Sequence, residues 1–211
     1  GGEPALPGYL DDYAFLLAAL VEAMQTRMRP DDYAWAIELA DALVDRFEDH
    51  ERGVFWFTAH DHERLFHRTM PGHDDATPSG NGVAARALVA LGHLSGEPRY
   101  VEAAERAVRR FGPSIVESPG GYSTLLEAAH DLEHPPAVVI VAGPAGAGDA
   151  GNGEAARWML ALQRSYRPWV QVYRQPRHGA PGPLVKGAPP AVGARAWICR
   201  RTGRPWTRSA K

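Results

Sequence analysis

The sequence predicts a mainly helical fold of stacked helical hairpins, followed by a small α/β unit, and three observations carry that expectation. The apolar stripe Ala36, Leu39, Ala40, Leu43, Val44 and Phe47 returns 64 positions later as Tyr100, Ala103, Ala104, Ala107, Val108 and Phe111. A repeat of that size holds two helices, and such repeats stack. Three polar turns each lead into an apolar helix pattern: Tyr9-Leu10-Asp11-Asp12 before Leu16, Leu20 and Met24; Asp74 to Asn81 before Val83, Ala87 and Leu91; and Tyr122-Ser123-Thr124 before Leu125 and Ala129. If these three helices run side by side in one direction, their polar starts share a single mouth. After Pro135-Pro136 the character changes, with the buried-strand run Ala137 to Ala142, a helix from Glu154 to Tyr166 and a strand from Trp169 to Tyr173. That order reads as a βαβ unit. The expected organisation is residues 1–135 as helical hairpins and 136–211 as an α/β appendage with Gly- and Pro-rich loops.

Taken in order, helical periodicity covers Tyr9 to about Gln25 and again Asp31 to Glu48, with Pro30 suited to a helix start. Gly53 to Thr58 reads as a short strand. The polar excursion from there to Asp75 is far longer than the roughly six residues typical of a connection, and such loops tend to carry function. Ser95-Gly96-Glu97-Pro98, by contrast, is a tight stop and restart. The long loop and the tight turn therefore lie at opposite ends of the bundle, and the long-loop end is the candidate site. Pro78 restrains the entry to the third helix, where Ser79 or Asn81 can cap exposed N–H groups. Gly146 to Gly151 spells a dinucleotide fingerprint, but the glycines begin several residues past the strand, and Arg174 stands where an acidic ribose partner is wanted. A linker loop is the favoured reading there. The Pro- and Gly-rich stretch from Arg177 to Val192 is another loop, leading to a last strand from Ala194 to Cys199.

With 45% hydrophobic residues over 211 positions, the chain can bury a core of ordinary size. A formal charge of -2 with scattered basic residues gives no electrostatic case for nucleic acid or an anionic membrane. The single cysteine, Cys199, excludes an internal disulfide framework and a multi-cysteine zinc site. It reads as a small buried hydrophobe, and its solitude fits a reducing, cytoplasmic setting. No signal peptide or spanning segment is read. The start at Gly1-Gly2-Glu3-Pro4, without methionine, points to a missing preceding part.

The order GYLDDYAF, DDATPSGNGVAA, GEPRYVEAAERA, VVIVAG, RSYRPWVQV and GARAWICR, spread over nearly the whole chain, resembles the C-terminal third of the YyaL family of thioredoxin-domain-containing proteins, to which spermatogenesis-associated protein twenty also belongs. The resemblance implies the last hairpins of a six-hairpin (α/α)6 toroid like those of glycosidases and sugar epimerases, together with the α/β appendage. It implies as partners the remaining hairpins and an N-terminal thioredoxin-like domain, whose redox cysteines lie outside this chain. Two departures stand out: Asp75 replaces the glycine usual after Asp74, and Arg204 stands near a position where a second cysteine often occurs. The implied function is binding or processing of a carbohydrate; the alternative is a non-catalytic scaffold for a thioredoxin-linked redox protein. Whether the chain is enzymatic stays open.

Each candidate residue carries a structural alternative. Asp11 and Asp12 suit the positive end of a helix and equally acid/base or sugar-hydroxyl chemistry. Asp74 and Asp75 approach the same mouth, and glycoside chemistry uses paired carboxylates. The expected catalytic set is Asp12, Asp75 and His62. Tyr9, Asp11, His60, Asp74, Thr77, Ser79, Asn81 and Tyr122 are expected to contact the ligand. The histidines fit proton transfer of the kind the epimerase resemblance implies. His60-Asp61-His62 lacks a third clear ligand, so no metal is assigned, and no cofactor is expected.

Overall fold

The computed structural model describes residues 8–62, 66–142, 153–165, 167–175, 195–199 and 207–208. The fingerprint at Gly146 to Gly151 and the loop from Arg177 to Val192 lie outside the described residues. The fold is mainly helical. In chain order it comprises α1 (Leu10–Thr26), α2 (Pro30–Ala42), β1 (Glu48–Asp49), β2 (Val54–Phe55), α3 (Gly80–Ser95), α4 (Pro98–Glu117), α5 (Ser123–Glu133), β3 (Ala137–Ala142), α6 (Gly153–Gln163), β4 (Val170–Arg174), β5 (Arg195–Cys199) and β6 (Thr207–Arg208). No helix among the described residues is long and apolar enough to cross a membrane.

Pro30 and Pro98 each begin a helix, where the missing N–H costs nothing and φ is already helical. The second helix differs from its periodic expectation at its end: α2 gives way to a π-helical turn, Leu43–Phe47, and Glu48 leaves helical geometry to pair in β1. The apolar stripe survives this change, since Leu43, Val44 and Phe47 are all buried. The expected strand from Gly53 to Thr58 shortens to Val54–Phe55, whose one ladder partner among the described residues is the two-residue β1. Beyond it the backbone bonds elsewhere: Trp56 N–H donates to Phe47 O at 3.0 Å, Phe57 N–H to Thr69 O at 2.9 Å, and Leu10 N–H to Phe57 O at 2.9 Å.

Helix α3 is the centre of the helical layer, packed against α1, α4 and α5 and buried along almost its whole length. Gly80, Gly82 and Gly92 let neighbouring elements come close to it. The Asp11 carboxylate occupies the space a side chain on Gly80 would need, and the Thr124 side chain lies against the Cα of Gly82. Further along, Arg86 pairs with Glu127 at 2.6 Å and approaches Asp131 at 3.8 Å. The partners advance together from Gly82–Thr124 to Arg86–Asp131, which makes α3 and α5 parallel. Helix α1 starts beside α3 and runs the same way, with Val21 and Ala90 lining one cavity downstream. Helix α4 returns in the opposite direction. It enters through Gly96, at φ 72°, with Val101 against Gly92, and ends with Phe111 against Gly72 and Tyr122. Helix α2 likewise brings Phe47 back to Tyr13 near the start of α1.

The repeated hairpins are joined by charge. Arg99 reaches Asp41 and Asp45, the Tyr100 hydroxyl donates to Asp41, and Arg106 grips the buried Glu48 with two bonds at 2.6 and 3.1 Å. Burial, followed by the Asp41 charge, pushes the Tyr100 phenol well up, so it remains a donor at all ordinary pH values.

Strands β4-β3-β5-β6 form one sheet in which β3 and β4 are parallel and the other pairs antiparallel. Strand alternation gives the sheet two faces. Val138, Ile140, Ala142 and Tyr173 join the core of the helical layer. Val139, Val141 and Val172 pack instead on Ala155 and Met159 of α6. Apolar residues on both sides of Pro136 thus meet in one cluster.

The close approach at Gly82 yields a test. A methyl placed there would come to 2.8 Å from Thr124 Cβ. Gly82→Ala is expected to lower stability by about 1–3 kcal/mol, the usual cost of overpacking, measured by denaturant unfolding against wild type. An unchanged midpoint would show that α5 can move away freely.

Candidate functional site at the shared helix starts

The starts of α1, α3 and α5 converge, and the first four N–H groups of each helix need acceptors. Asp74 serves two of the three. Its Oδ1 accepts from Ser79 N–H at 2.8 Å, and its Oδ2 accepts from Thr124 N–H at 2.8 Å and from the Thr124 hydroxyl at 3.1 Å. Its own N–H donates to Gly121 O at 2.7 Å. Partial burial opposes the charge on Asp74, but these donors outweigh it and hold the carboxyl below its usual range. Ser79 is the N-cap of α3, its hydroxyl accepting from Gly82 N–H at 3.3 Å. Asp12 accepts from Tyr9 N–H at 2.8 Å and closes the first turn of α1.

Asn81 does not cap. It is fully buried, and its amide takes the part of a strand: Oδ1 accepts from Phe55 N–H at 2.9 Å, while Nδ2 donates to Phe55 O at 2.9 Å and Pro71 O at 2.8 Å. Both ends of the long excursion are thereby pinned to α3. His60 faces backbone as well, with Nε2 2.9 Å from Glu48 O and Nδ1 3.5 Å from Arg68.

Two clusters flank this bonded centre. On the α1 side Tyr9, 38% exposed, stacks on Phe57 at 4.9 Å and lies 5.5 Å from the His62 ring. Asp11 Oδ1 and both ring nitrogens of His62 are buried without a hydrogen-bond partner among the described residues. Burial, then the neighbouring Asp12 charge, raises the Asp11 carboxyl above its ordinary value. On the α5 side His73 meets Tyr122 edge-on at 5.4 Å and pairs with the exposed Asp75 at 3.5 Å. Thr77 is exposed beside them, its carbonyl accepting from Asp75 N–H at 3.1 Å.

Among the expected residues, then, Asp12, Asp74, Ser79, Asn81 and His60 carry bonds of the fold. Tyr9, Asp11, His62, Asp75, Thr77 and Tyr122 retain exposed surface or unused polar capacity. Sequence reasoning passed over His73, although it adjoins Asp74-Asp75. It also passed over Arg46, which bonds both Asp61 oxygens at 3.1 and 2.9 Å and the Tyr13 hydroxyl at 3.2 Å. Among the described residues no group of three or more His, Cys, Asp or Glu side chains is placed to hold a metal ion.

A separate cavity of about 540 Å³ lies further along the helices, between α1, α3 and α5 and the β4 side of the sheet. Its polar lining includes Glu22, Gln25, Arg86, Asp131 and Gln171, and none of the expected site residues.

No protein-family model matches the chain. Over 141 residues it is 25% identical to spermatogenesis-associated protein 20 of Rattus norvegicus, a match covering 66% of the chain and 18% of that protein. The chain thus spans less than a fifth of that relative's length. This partial likeness gives weak support to the family named from the motifs and says nothing of a reaction.

The Asp74 junction makes a pH-dependent prediction. Replacing Asp74 by Ala leaves two N–H groups and a hydroxyl without their acceptor, at an expected cost of about 1–3 kcal/mol at pH 7. Because the folded carboxyl lies below its unfolded value, this stabilisation is present above roughly pH 4 and is lost as pH falls through the depressed value. Urea melts of wild type and Asp74→Ala should therefore converge in acid; a gap that persists unchanged there would mean the carboxylate charge is irrelevant.

Proposed function

We propose that this chain forms part of a carbohydrate-binding or carbohydrate-processing toroid in a YyaL-like, thioredoxin-domain-containing protein, with the ligand held at the shared starts of α1, α3 and α5. The observation that carries the reading is the pair of polar groups there without a hydrogen-bond partner among the described residues, Asp11 Oδ1 and the His62 ring. Buried polar atoms in folded proteins are nearly always bonded, so two at one end of a bundle call for a ligand that supplies the missing partners. A sugar does so: its hydroxyls donate and accept, and its apolar ring face suits the Tyr9–Phe57 stack. Asp11, raised by burial, can hold a proton for a leaving or migrating oxygen, while the His62 ring nitrogens offer an acceptor. Asp75 and Thr77, exposed on the α5 side, are the further polar groups a sugar could meet. Within the Asp11-Asp12 pair the chemical role falls to Asp11, because Asp12 already caps α1.

The ring of hairpins is supported by the repeat itself. Arg99 and Arg106 contact the preceding hairpin from α4, and the positions 64 earlier are Trp35 and Ala42. Those two, with Leu39 and Leu16, line an open groove between α1 and α2, and Trp35 is 46% exposed. A further hairpin docked there would continue the stack.

One set of observations favours a non-catalytic scaffold instead: Asp74, Ser79 and Asn81, at the centre of the mouth, are engaged in the fold. Asp11→Asn separates the two readings. With its pKa raised, Asp11 incurs a penalty absent below the ordinary carboxylate range and full above the raised value, so removing the charge should leave stability at pH 7 unchanged or slightly higher. On the ligand-binding reading, affinity for mono- or oligosaccharides in the full-length protein falls about 10- to 100-fold, the equivalent of a lost charged hydrogen bond. Calorimetric binding and thermal melts on Asp11→Asn and His62→Ala provide the measurement; stability lost with sugar binding intact would favour the scaffold.

A further inference from the structure

We propose that the cavity of about 540 Å³ between the helical layer and the outer edge of β4 is a peptide-binding groove, in which an extended peptide segment lies beside β4 as an added strand. Strand β4 stands at one end of the order β4-β3-β5-β6, so among the described residues the sheet uses one of its two edges. Its register with β3, together with Ala137 N–H to Trp169 O and Gln175 N–H to Val141 O, both at 2.9 Å, directs the backbone groups of Gln171 and Tyr173 to β3. Alternate residues of a parallel strand face its other edge, so those of Val170 and Val172 point away from β3. Two bonds agree with this direction: Val170 N–H donates to Arg167 O at 3.0 Å, and Val172 N–H to Gln25 Oε1 at 3.2 Å. The Val170 and Val172 carbonyls on that edge accept no hydrogen bond from any described residue. Such an edge is a template for a further strand.

The chemistry of the lining selects a peptide. Gln171, which lines the cavity between Val170 and Val172, is only 8% exposed. Its Oε1 accepts from the Tyr173 hydroxyl at 3.2 Å, and burial pushes the Tyr173 phenol well up, so that hydroxyl stays a donor. The Gln171 amide is thereby oriented, and its Nε2 has no acceptor among the described residues. The groove therefore asks for N–H donors toward Val170 and Val172 and for a carbonyl toward Gln171. A peptide backbone carries both at every residue, and main-chain bonds of this kind drive strand addition to a sheet edge. On the opposite wall Ala18, Val21, Val83 and Ala87 offer a surface of small apolar groups to every second side chain of the segment. The volume lies in the range of ligand pockets, and with helices closing the far side it admits one extended chain, not the edge of a second folded copy. Gln25 marks the path. Braced by Nε2 to Glu22 at 2.9 Å, its amide already meets Val172 N–H as a neighbouring strand would. An incoming segment displaces that amide and gains both backbone groups of Val172.

The test is titration of the isotope-labelled 211-residue chain with an end-capped peptide, Thr-Val-Lys-Val-Thr, matched to the five residues of β4 and followed by backbone and side-chain amide resonances. Saturable uptake of one peptide per chain is expected, with shifts centred on Gln171, Val172 and the Gln25 side-chain amide. The same peptide N-methylated at both valines keeps its side chains but loses two donors, and should not bind. Gln171→Met should weaken binding about 5- to 10-fold, the equivalent of one neutral hydrogen bond. Gln25→Ala should bind more tightly, because Val172 N–H is then open, and a merely structural loss would not produce that gain. Thermal melts of each variant establish that the fold is intact. Equal binding of the methylated peptide, shifts that fall away from β4, or no saturable shift in wild type and Gln25→Ala alike overturns the proposal. Self-association of the chain in place of peptide uptake assigns the edge to a second copy and overturns it as well.

Discussion

The arrangement of the helical layer depends on the need to satisfy helix-start N–H groups where three helices begin together. Parallel helices bring their positive ends to one place, and unpaired donors buried there would oppose association. A single carboxylate resolves much of this. Asp74 lies outside every helix yet bonds the starts of both α3 and α5, so its position fixes the two helices relative to each other. Gly82 allows the accompanying approach, since any larger residue would meet Thr124.

The same end also organises the long excursion between the hairpins. Asn81 projects from the first turn of α3 into the space where a third strand would pair and bonds the backbone of Phe55 on both sides. That bond set and Leu10 N–H to Phe57 O bring Phe57 and His62 against Tyr9. Asp11 Oδ1 and the His62 ring, without partners among the described residues, thus stand on a tightly bonded support.

At the other end of the helices the layer passes into the sheet. Strand β3 contributes alternate residues to two clusters, so the α/β unit is held to the helices by Val138, Ile140 and Tyr173 while α6 covers its opposite face. Arg86, Glu127 and Asp131 lie near this passage, and they tie α3 to α5 beside His130. The two ends of the layer therefore differ in chemistry: carboxylate-to-amide capping at the mouth, and charge pairing with imidazole at the junction.

Periodicity and spacing made the helices, the 64-residue repeat and the β3–α6–β4 order legible, because burial of one face imposes a period that sequence displays directly. Turn residues likewise marked where α3 and α4 begin. The sequence could not assign work among neighbouring polar residues. Asp11 and Asp12 read alike, yet Asp12 caps α1 while Asp11 lies against Gly80 with its Oδ1 unbonded among the described residues, a difference set by which direction each Cβ takes around the helix. Asn81 reads as a cap, and becomes a strand surrogate only because Phe55 and Pro71 are brought to it from far along the chain. The length of α2 and of β2 was also a tertiary outcome, since among the described residues β1 and β2 pair only with each other. Local patterns determined which segments are helical and which face is apolar; the hydrogen-bond partners, which come from residues distant in sequence, decided which polar groups the fold consumes and which it leaves open.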